Sequence, residues 1–235
     1  MKKYIGTKQI EAEPMTRGDA WGKHLLREKP STENFDDEGY HVRYEDGYES
    51  WSPKDTFEKA YKIAETPVDR MQIEAEEVNG RYVKLAAFID SGKMDEVVND
   101  MYNKCLLEMQ CCTMFDYIRL LDTRIQRMQG SDSAEVRKMN FGMAIMALKA
   151  GFPIRRSGWN GKGLWVIKQV PAHMTEEIIP KMLSLPQSAK DLILKGKGFI
   201  DYTSQCLIYN ENAGRADSWV PSISDVFAED WEIVE

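Results

Sequence analysis

The chain has 235 residues, 43% of them apolar and 29% charged, and a net charge of −7 at pH 7. That length suits one large domain or two to three small ones, and the composition is that of a globular protein. An acidic chain lacks the basic surface that tight non-specific DNA binding needs, and no apolar run reaches membrane-spanning length, so both classes are set aside.

The acidic excess is uneven. Residues 1–65 carry 11 basic and 14 acidic side chains, 66–135 carry 8 and 13, and 136–235 carry 12 and 11. The balanced last segment leaves room for a compact anionic ligand. The start, MKKYIGTKQIEAEP, has a basic head with no apolar stretch behind it, which reads as the absence of a signal peptide. Cys105, Cys111, Cys112 and Cys206 show no C-x-x-C spacing, and His24, His41 and His173 are scattered. Neither a zinc site nor a disulfide framework is expected, and the thiols read as reduced in a cytoplasm.

Residues 1–65 read as a small α+β unit. EGYHVRYEDGYESW alternates about Asp46-Gly47, a hairpin signal with Tyr40, Tyr44, Tyr48 and Trp51 in the strands. SPKDTFEKAYKIAE follows as a helix, with Ser52 as N-cap, Pro53 at the first position and Phe57, Ala60, Tyr61 and Ala64 as its apolar stripe. The polar segment 29–39 reads as a loop. The aromatic hairpin is read as a small core in preference to a binding face.

Residues 66–130 read as an antiparallel helical hairpin. Met71, Ala75, Val78, Tyr82, Leu85 and Ile89 form a heptad seam that ends at Asp90-Ser91-Gly92-Lys93. A second helix is expected from about Met94 to Met128. It has one stripe of Met101, Cys105, Met109 and Cys112, and another of Cys111, Phe115, Ile118, Ile125 and Met128. Two stripes imply more than one packing partner. Cys111-Cys112 reads as packing, since buried thiols behave as small hydrophobes.

GSDSAE at 130–135 reads as a linker, and residues 136–235 as a third unit. MNFGMAIMALKAG is a helix with Phe141, Ala144, Ile145 and Leu148 on one face and Gly151 as its stop. FPIRRSGW is a short strand and GLWVIKQV a second, ended by Pro171. Between them, Asn160-Gly161 suits a type I′ turn. EEIIPKML and PQSAKDLIL are short helical stretches, FIDYTSQCLIYN holds one or two strands, SDVFAED is a capped helical turn starting near Ser224, and DWEIVE is a final strand. The expected class is thus α+β, the third unit being an antiparallel sheet with a leading helix and a helical insertion.

The stretch RRSGWNGKG (155–163) is both a turn and a candidate ligand cradle, with Arg and Lys for phosphates, Trp for a base and glycines for close approach. Trp219, Ser222, Ser224 and Asp225 add a second aromatic face and polar groups for sugar hydroxyls and base edges. No G-x-S-x-G, H-E-x-x-H, P-loop or G-x-G-x-x-G is present, and no histidine has a partner suggested by spacing. Asp225, Glu229 and Asp230 cluster near the end, and paired carboxylates can do acid–base work, but capping or a solvated face produces the same pattern more often.

The pattern F-x-x-A-I-x-x-L-K-x-G (Phe141 to Gly151), R-x-G-W-N-G-K-G (Arg156 to Gly163) and W-x-P-S-x-S-D-V-F-A-E-D-W (Trp219 to Trp231) resembles the phage type 2 anti-Thoeris proteins, over about residues 139–235. The resemblance implies a sponge that captures the cyclic ADP-ribose-type signal of Thoeris immunity without cleaving it. Some relatives hold CBASS cyclic dinucleotides as well. It also implies a cytoplasmic homo-oligomer, dimer or tetramer, with pockets between subunits and no cofactor. By motif position, Phe141 and Trp159 are the expected base-stacking residues. Arg156 and Lys162 are expected on phosphate, and Asn160, Ser222 and Asp225 on polar contacts, with Trp219 beside them. Leu148 and Trp231 are assigned to the core. The span 171–198 is read as longer than in minimal members. The first two units resemble gut phage modules, including those of crAss-like phages, for which no function is implied. Two other readings stay open: a hydrolase or lyase of the same signals using Asp225 or Glu229, and an interaction module acting through the acidic N-terminal units.

Overall fold

The computed structural model describes residues 9–234; the basic head at 1–8 and the last residue lie outside the described residues. The fold is mixed α and β with antiparallel sheets, as the α+β expectation requires. It divides into two compact units, one up to Ile73 and one from Glu74 on.

The first unit is a three-stranded antiparallel sheet, β1 (Ile10–Thr16), β2 (Glu38–Tyr44) and β3 (Glu49–Pro53), with α1 (Arg17–Gly22) and α2 (Lys54–Ala60). The hairpin forms as expected. Tyr44 N–H to Tyr48 O (2.9 Å) and Gly47 N–H to Tyr44 O (2.9 Å) close it, and Gly47 takes the left-handed conformation (φ 81°) that only glycine adopts without cost. Tyr40 stacks on Phe57 of α2 at 4.1 Å, and Val42 is 1% exposed. The helix is shorter than the sequence implies. Ser52 and Pro53 belong to β3, paired with Tyr40 and Gly39, so the helix starts at Lys54 without a side-chain cap. It stops at Ala60 because Tyr61 returns to extended backbone, which leaves Ala64 outside it.

From Pro67 the long helix α3 (Pro67–Asp90) carries the heptad seam. The second helix is broken where the sequence suggested continuity. α4 (Lys93–Val97) ends, the chain extends at Val98, and Asp100 caps a fresh start to α5 (Met101–Met128) by accepting from Tyr102 N–H at 3.0 Å. Tyr82 of α3 meets Phe115 of α5 at 5.6 Å, and the Tyr117 hydroxyl donates to Glu74 at 2.5 Å. The stripe of Met101, Cys105, Met109 and Cys112 is exposed. Burial on α5 falls instead on Leu121 and Ile125, in the stretch where Arg119 and Arg127 bond the 134–138 segment. Cys111 is half-buried, and that burial pushes its thiol pKa up, whereas Cys112 is exposed.

Asn140 caps α6 (Phe141–Lys149) by accepting from Met143 N–H at 3.0 Å, and its amide donates to Asp116 of α5 at 2.6 Å. The helix ends in a Schellman turn. Gly151 (φ 93°) donates to Leu148 O and Phe152 to Ala147 O, as the glycine at this position predicts. α6 covers one face of a five-stranded antiparallel sheet in the order β10-β4-β5-β8-β9. These strands are β4 (Ile154–Arg156), β5 (Leu164–Lys168), β8 (Cys206–Asn210), β9 (Arg215–Ser218) and β10 (Trp231–Ile233). Ala144, Ile154, Val166 and Trp231 are all 0% exposed in the core between them.

Two expectations are corrected here. Asn160-Gly161 is not a two-residue turn. β4 and β5 are joined by the seven-residue loop 157–163, and its left-handed residue is Gly163 (φ 75°). The helical turn α8 (Ile223–Val226) is capped by Ser222, two residues before Ser224.

β5 and β8 run on beyond the sheet as β6 (Ala172–Met174) and β7 (Ile200–Tyr202). Pairing from Leu164 with Asn210 to Lys168 with Cys206 resumes at Ala172 with Tyr202 in the same register. The interruption is held by Gln169 N–H to Gln205 O (2.8 Å), and Pro171, which has no N–H, sits within it. The expected helical insertion is the tip of this ribbon. EEIIPKML forms only a 3₁₀ turn at Ile179–Lys181, while α7 (Gln187–Lys195) is a helix. Lys190 of α7 donates to Pro180 O at 3.0 Å, and Ile179 is 0% exposed.

Because the core closes on one indole, Trp231→Ala should cost about 3–5 kcal/mol, the usual loss for a fully buried large aromatic. Urea denaturation followed by the fluorescence of the remaining tryptophans measures it.

Candidate functional site

Strand β4 directs Ile154 and Arg156 to the same face of the sheet, and Trp231 of β10 lies opposite Arg156. The Arg156 side chain therefore runs along the core edge toward the segment that follows β9. There Ser222 and Asp225 form a reciprocal capping box on α8: Ser222 Oγ accepts from Asp225 N–H at 3.2 Å, and Asp225 Oδ2 accepts from Ser222 N–H at 2.9 Å. The Ser222 hydroxyl also donates to Asp225 Oδ2 at 2.7 Å and lies 2.8 Å from the Ser224 hydroxyl.

The same carboxylate binds the arginine. Arg156 Nη1 donates to Asp225 Oδ1 at 3.0 Å and to Ser224 O at 3.2 Å, and Nε donates to Asp230 Oδ1 at 2.7 Å. Asp230 in turn accepts from Gly158 N–H at 2.8 Å, and its backbone carbonyl accepts from Ser157 N–H at 3.0 Å. Trp159 Nε1 donates to Asp225 Oδ1 at 3.1 Å, and Trp231 Nε1 to the Asp225 backbone carbonyl at 3.1 Å. A Cβ on Gly158 would sit 2.5 Å from Asp230 Oδ2, so glycine is what lets the loop backbone reach that carboxylate.

The electrostatics follow from these bonds. Burial pushes the Asp225 carboxyl up, but the bonds from Ser222, Arg156 and Trp159 outweigh it and bring its pKa to about 2. Asp230 is likewise held below the usual carboxylate range: burial raises it, and Arg156 and Gly158 N–H more than compensate. Arg156 is raised by its bond to Asp230 and, against its own desolvation, by Asp225.

Three further rings surround Trp231: Trp159 edge-on at 5.4 Å, Phe141 at 5.7 Å and Trp219 at 6.1 Å. Arg156, Trp159, Ser222 and Asp225 thus share one hydrogen-bonded network, with Phe141 and Trp219 packed on the same indole. Asn160 and Lys162 lie apart, exposed in the loop 157–163, and the Lys162 carbonyl is tied to Asn212 Nδ2 at 2.7 Å. The sequence presents Asp230 only as one acid of a carboxylate cluster. Its role as second clasp of Arg156 is set by the pairing of β10 with β4, which no local motif announces. Glu229 is exposed.

Among the described residues no group of three or more His, Cys, Asp or Glu is positioned to hold a metal ion. A polar cleft of about 450 Å³ lies in the first unit, lined by Glu11, Arg43 and Tyr44 among others, where Arg43 Nε is already paired with Glu11 at 2.9 Å.

Residues 139–234, which contain this whole network, match the Thoeris anti-defense 2-like (Tad2-like) domain family. Thoeris anti-defense 2 of Bacillus phage SP01 is 35% identical over 102 residues, spanning 41% of this chain and 96% of that protein. The chain belongs to the Thoeris anti-defense 2-like family. Residues 65–127, covering all of α3 and α4 and all of α5 but its last residue, are similar to a second family, described as Sequestin. The Tad2-like family is one of anti-defence domains, and no helix among the described residues is long and apolar enough to cross a membrane. The matched stretch includes the ribbon and its helical tip.

The Asp225 carboxyl titrates lower in the folded protein than in the unfolded chain, so its contribution is present above about pH 4 and is lost as pH falls toward 2. Asp225→Asn should destabilise the fold at pH 7, and the gap from wild type should narrow by about 2 kcal/mol between pH 5 and pH 2. Denaturant titrations at a series of pH values check this; a gap independent of pH would refute it.

Proposed function

We propose that this chain is an anti-defence protein that binds and sequesters a cyclic nucleotide immune signal without cleaving it. The signal is of the cyclic ADP-ribose type used by Thoeris immunity, and the same chemistry extends to cyclic dinucleotides. Family membership supports the anti-defence role. The single observation that carries sequestration over chemistry is the saturation of the carboxylates. Both oxygens of Asp225 and both of Asp230 accept hydrogen bonds from the protein, so neither is a free base.

What the network leaves available suits recognition. Trp159 and Trp219 are half-buried rings beside a rigid indole, fitted for stacking on a base together with Phe141. Asn160 offers hydrogen bonds to sugar hydroxyls and base edges, and Lys162 an uncommitted ammonium for phosphate, while the Ser222 hydroxyl is occupied by Asp225 and Ser224 and serves to hold the segment. Arg156 is largely spent on Asp225 and Asp230. Its remaining donor, Nη2, which has no protein acceptor among the described residues, is what it can offer to a phosphate. Asp225 acts by orienting Arg156 and Trp159. On the same short segment Val220, Ile223 and Phe227 are 81%, 79% and 81% exposed. A second subunit laid over them would bury that surface and close the pocket around the ligand, which is how a homo-oligomer would reach tight binding.

Calorimetric titration with cyclic ADP-ribose isomers and cyclic dinucleotides tests the reading, with heat release of the bound ligand and its chromatography. Tight binding and recovery of intact ligand are expected. An altered ligand would make the protein an enzyme, and an empty panel would turn attention to a protein partner. Trp159→Ala should weaken binding about tenfold to 100-fold, the loss of one stacked base, while leaving the circular dichroism spectrum unchanged.

A further inference from the structure

The five-stranded sheet ends in β9, whose four residues are all exposed, with Arg215 and Asp217 side chains 72% and 50% accessible. The hydrogen-bond phase of this strand is fixed by Trp219 N–H, which donates inward to Cys206 O at 2.8 Å. Alternation then turns the N–H and C=O of Arg215 and Asp217 toward β8, and those of Ala216 and Ser218 toward the open edge. Arg215 and Asp217 project from one face and pair with each other along the strand, with Nη2 to Oδ1 at 2.9 Å.

We propose that β9 pairs antiparallel with β9 of a second copy about a two-fold axis at Ala216, joining two sheets into one. Of the registers the hydrogen-bond phase allows, this one sets Arg215 of each copy opposite Asp217 of the other, in a non-hydrogen-bonded pair where side chains come closest. The neighbouring register, with Ala216 opposite Ser218, would set Asp217 against Asp217 and is disfavoured by like charge. A row of lysines on an edge repels every copy. The Arg-Ala-Asp sequence is instead complementary to itself, which is what an isologous interface needs. The two ion pairs within single strands exchange for two across the axis, and the open N–H and C=O of Ala216 gain partners; Ser218 falls opposite Gly214, whose N–H already donates to Asn210 O. A four-residue edge is short, so this contact acts alongside the apolar surface at Val220, Ile223 and Phe227. It deepens the subunit-pairing part of the function proposed above and is independent of which nucleotide is bound.

The test uses the full chain. Across a hydrogen-bonded pair the Cα atoms lie about 5.5 Å apart, within disulfide range. Ala216→Cys should therefore cross-link two copies through the introduced thiols under mild oxidation, as peptide mapping by mass spectrometry would identify. Ser218→Cys, set opposite Gly214 of the other copy, should cross-link far more slowly. By sedimentation velocity, Arg215→Asp and Asp217→Arg should each weaken association at least tenfold, and the double reversal should restore it. Cross-linking no faster at Ala216 than at Ser218, single reversals without effect, or a double reversal that fails to rescue would overturn the proposal. Loss of nucleotide binding alone would bear only on the proposed function.

Discussion

One buried carboxylate holds the second unit's edge together. Asp225 closes the cap of α8, accepts from Arg156 and Trp159 with its side chain, and accepts from Trp231 with its backbone. The end of β4 and the loop after it are fixed to the distant stretch after β9 and to the start of β10 through a single residue. An aspartate is costly to bury, and here that cost is offset because every lone pair facing the protein has a donor and the guanidinium supplies the charge. The arrangement is rigid in a way that packing alone would not make it, since hydrogen bonds to a charged group constrain direction as well as distance.

That rigidity separates frame from surface. Trp231 is wholly buried and gives the neighbouring rings a fixed backing, so Trp159, Trp219 and Phe141 hold their orientation without a ligand. Asn160 and Lys162 sit outside, exposed in a glycine-rich loop. For the ligand site proposed above, this means that the aromatic half would lose little entropy on binding and the polar half would keep its adaptability. Of the three clustered acids, Asp225 and Asp230 are occupied by the protein itself, and Glu229 is exposed.

Local chemistry was legible in the sequence, and long-range pairing was not. Asp46-Gly47 and Gly151 announced a hairpin turn and a helix stop because each works through its own backbone conformation. The heptad seam read correctly as α3. The failures lie where a distant partner overrides a local signal. Ser52-Pro53 has the form of a helix start, yet Gly39 and Tyr40 hold it in a strand. Met94 to Met128 has the form of one helix, yet Asp100 captures the Tyr102 amide and restarts it. Asn160-Gly161 has the form of a tight turn, but Ser157 and Gly158 are drawn to Asp230, and the loop lengthens to reach it. At the site, residue types were readable and Arg156, Trp159, Ser222 and Asp225 do come together. That Arg156 is neutralised by two acids follows only from the pairing of β4 with β10.

The ribbon from β5 and β8 through β6 and β7 keeps a single register across its proline interruption. Its length is consequently quantised. Side chains alternate with a period of two, so losing one residue from each strand would bring the 3₁₀ turn and α7 out on the opposite face. Losing two from each would shorten the ribbon by about 7 Å and keep the tip on its present side. A change in reach that keeps the tip on its present side therefore comes in even steps, matched in both strands.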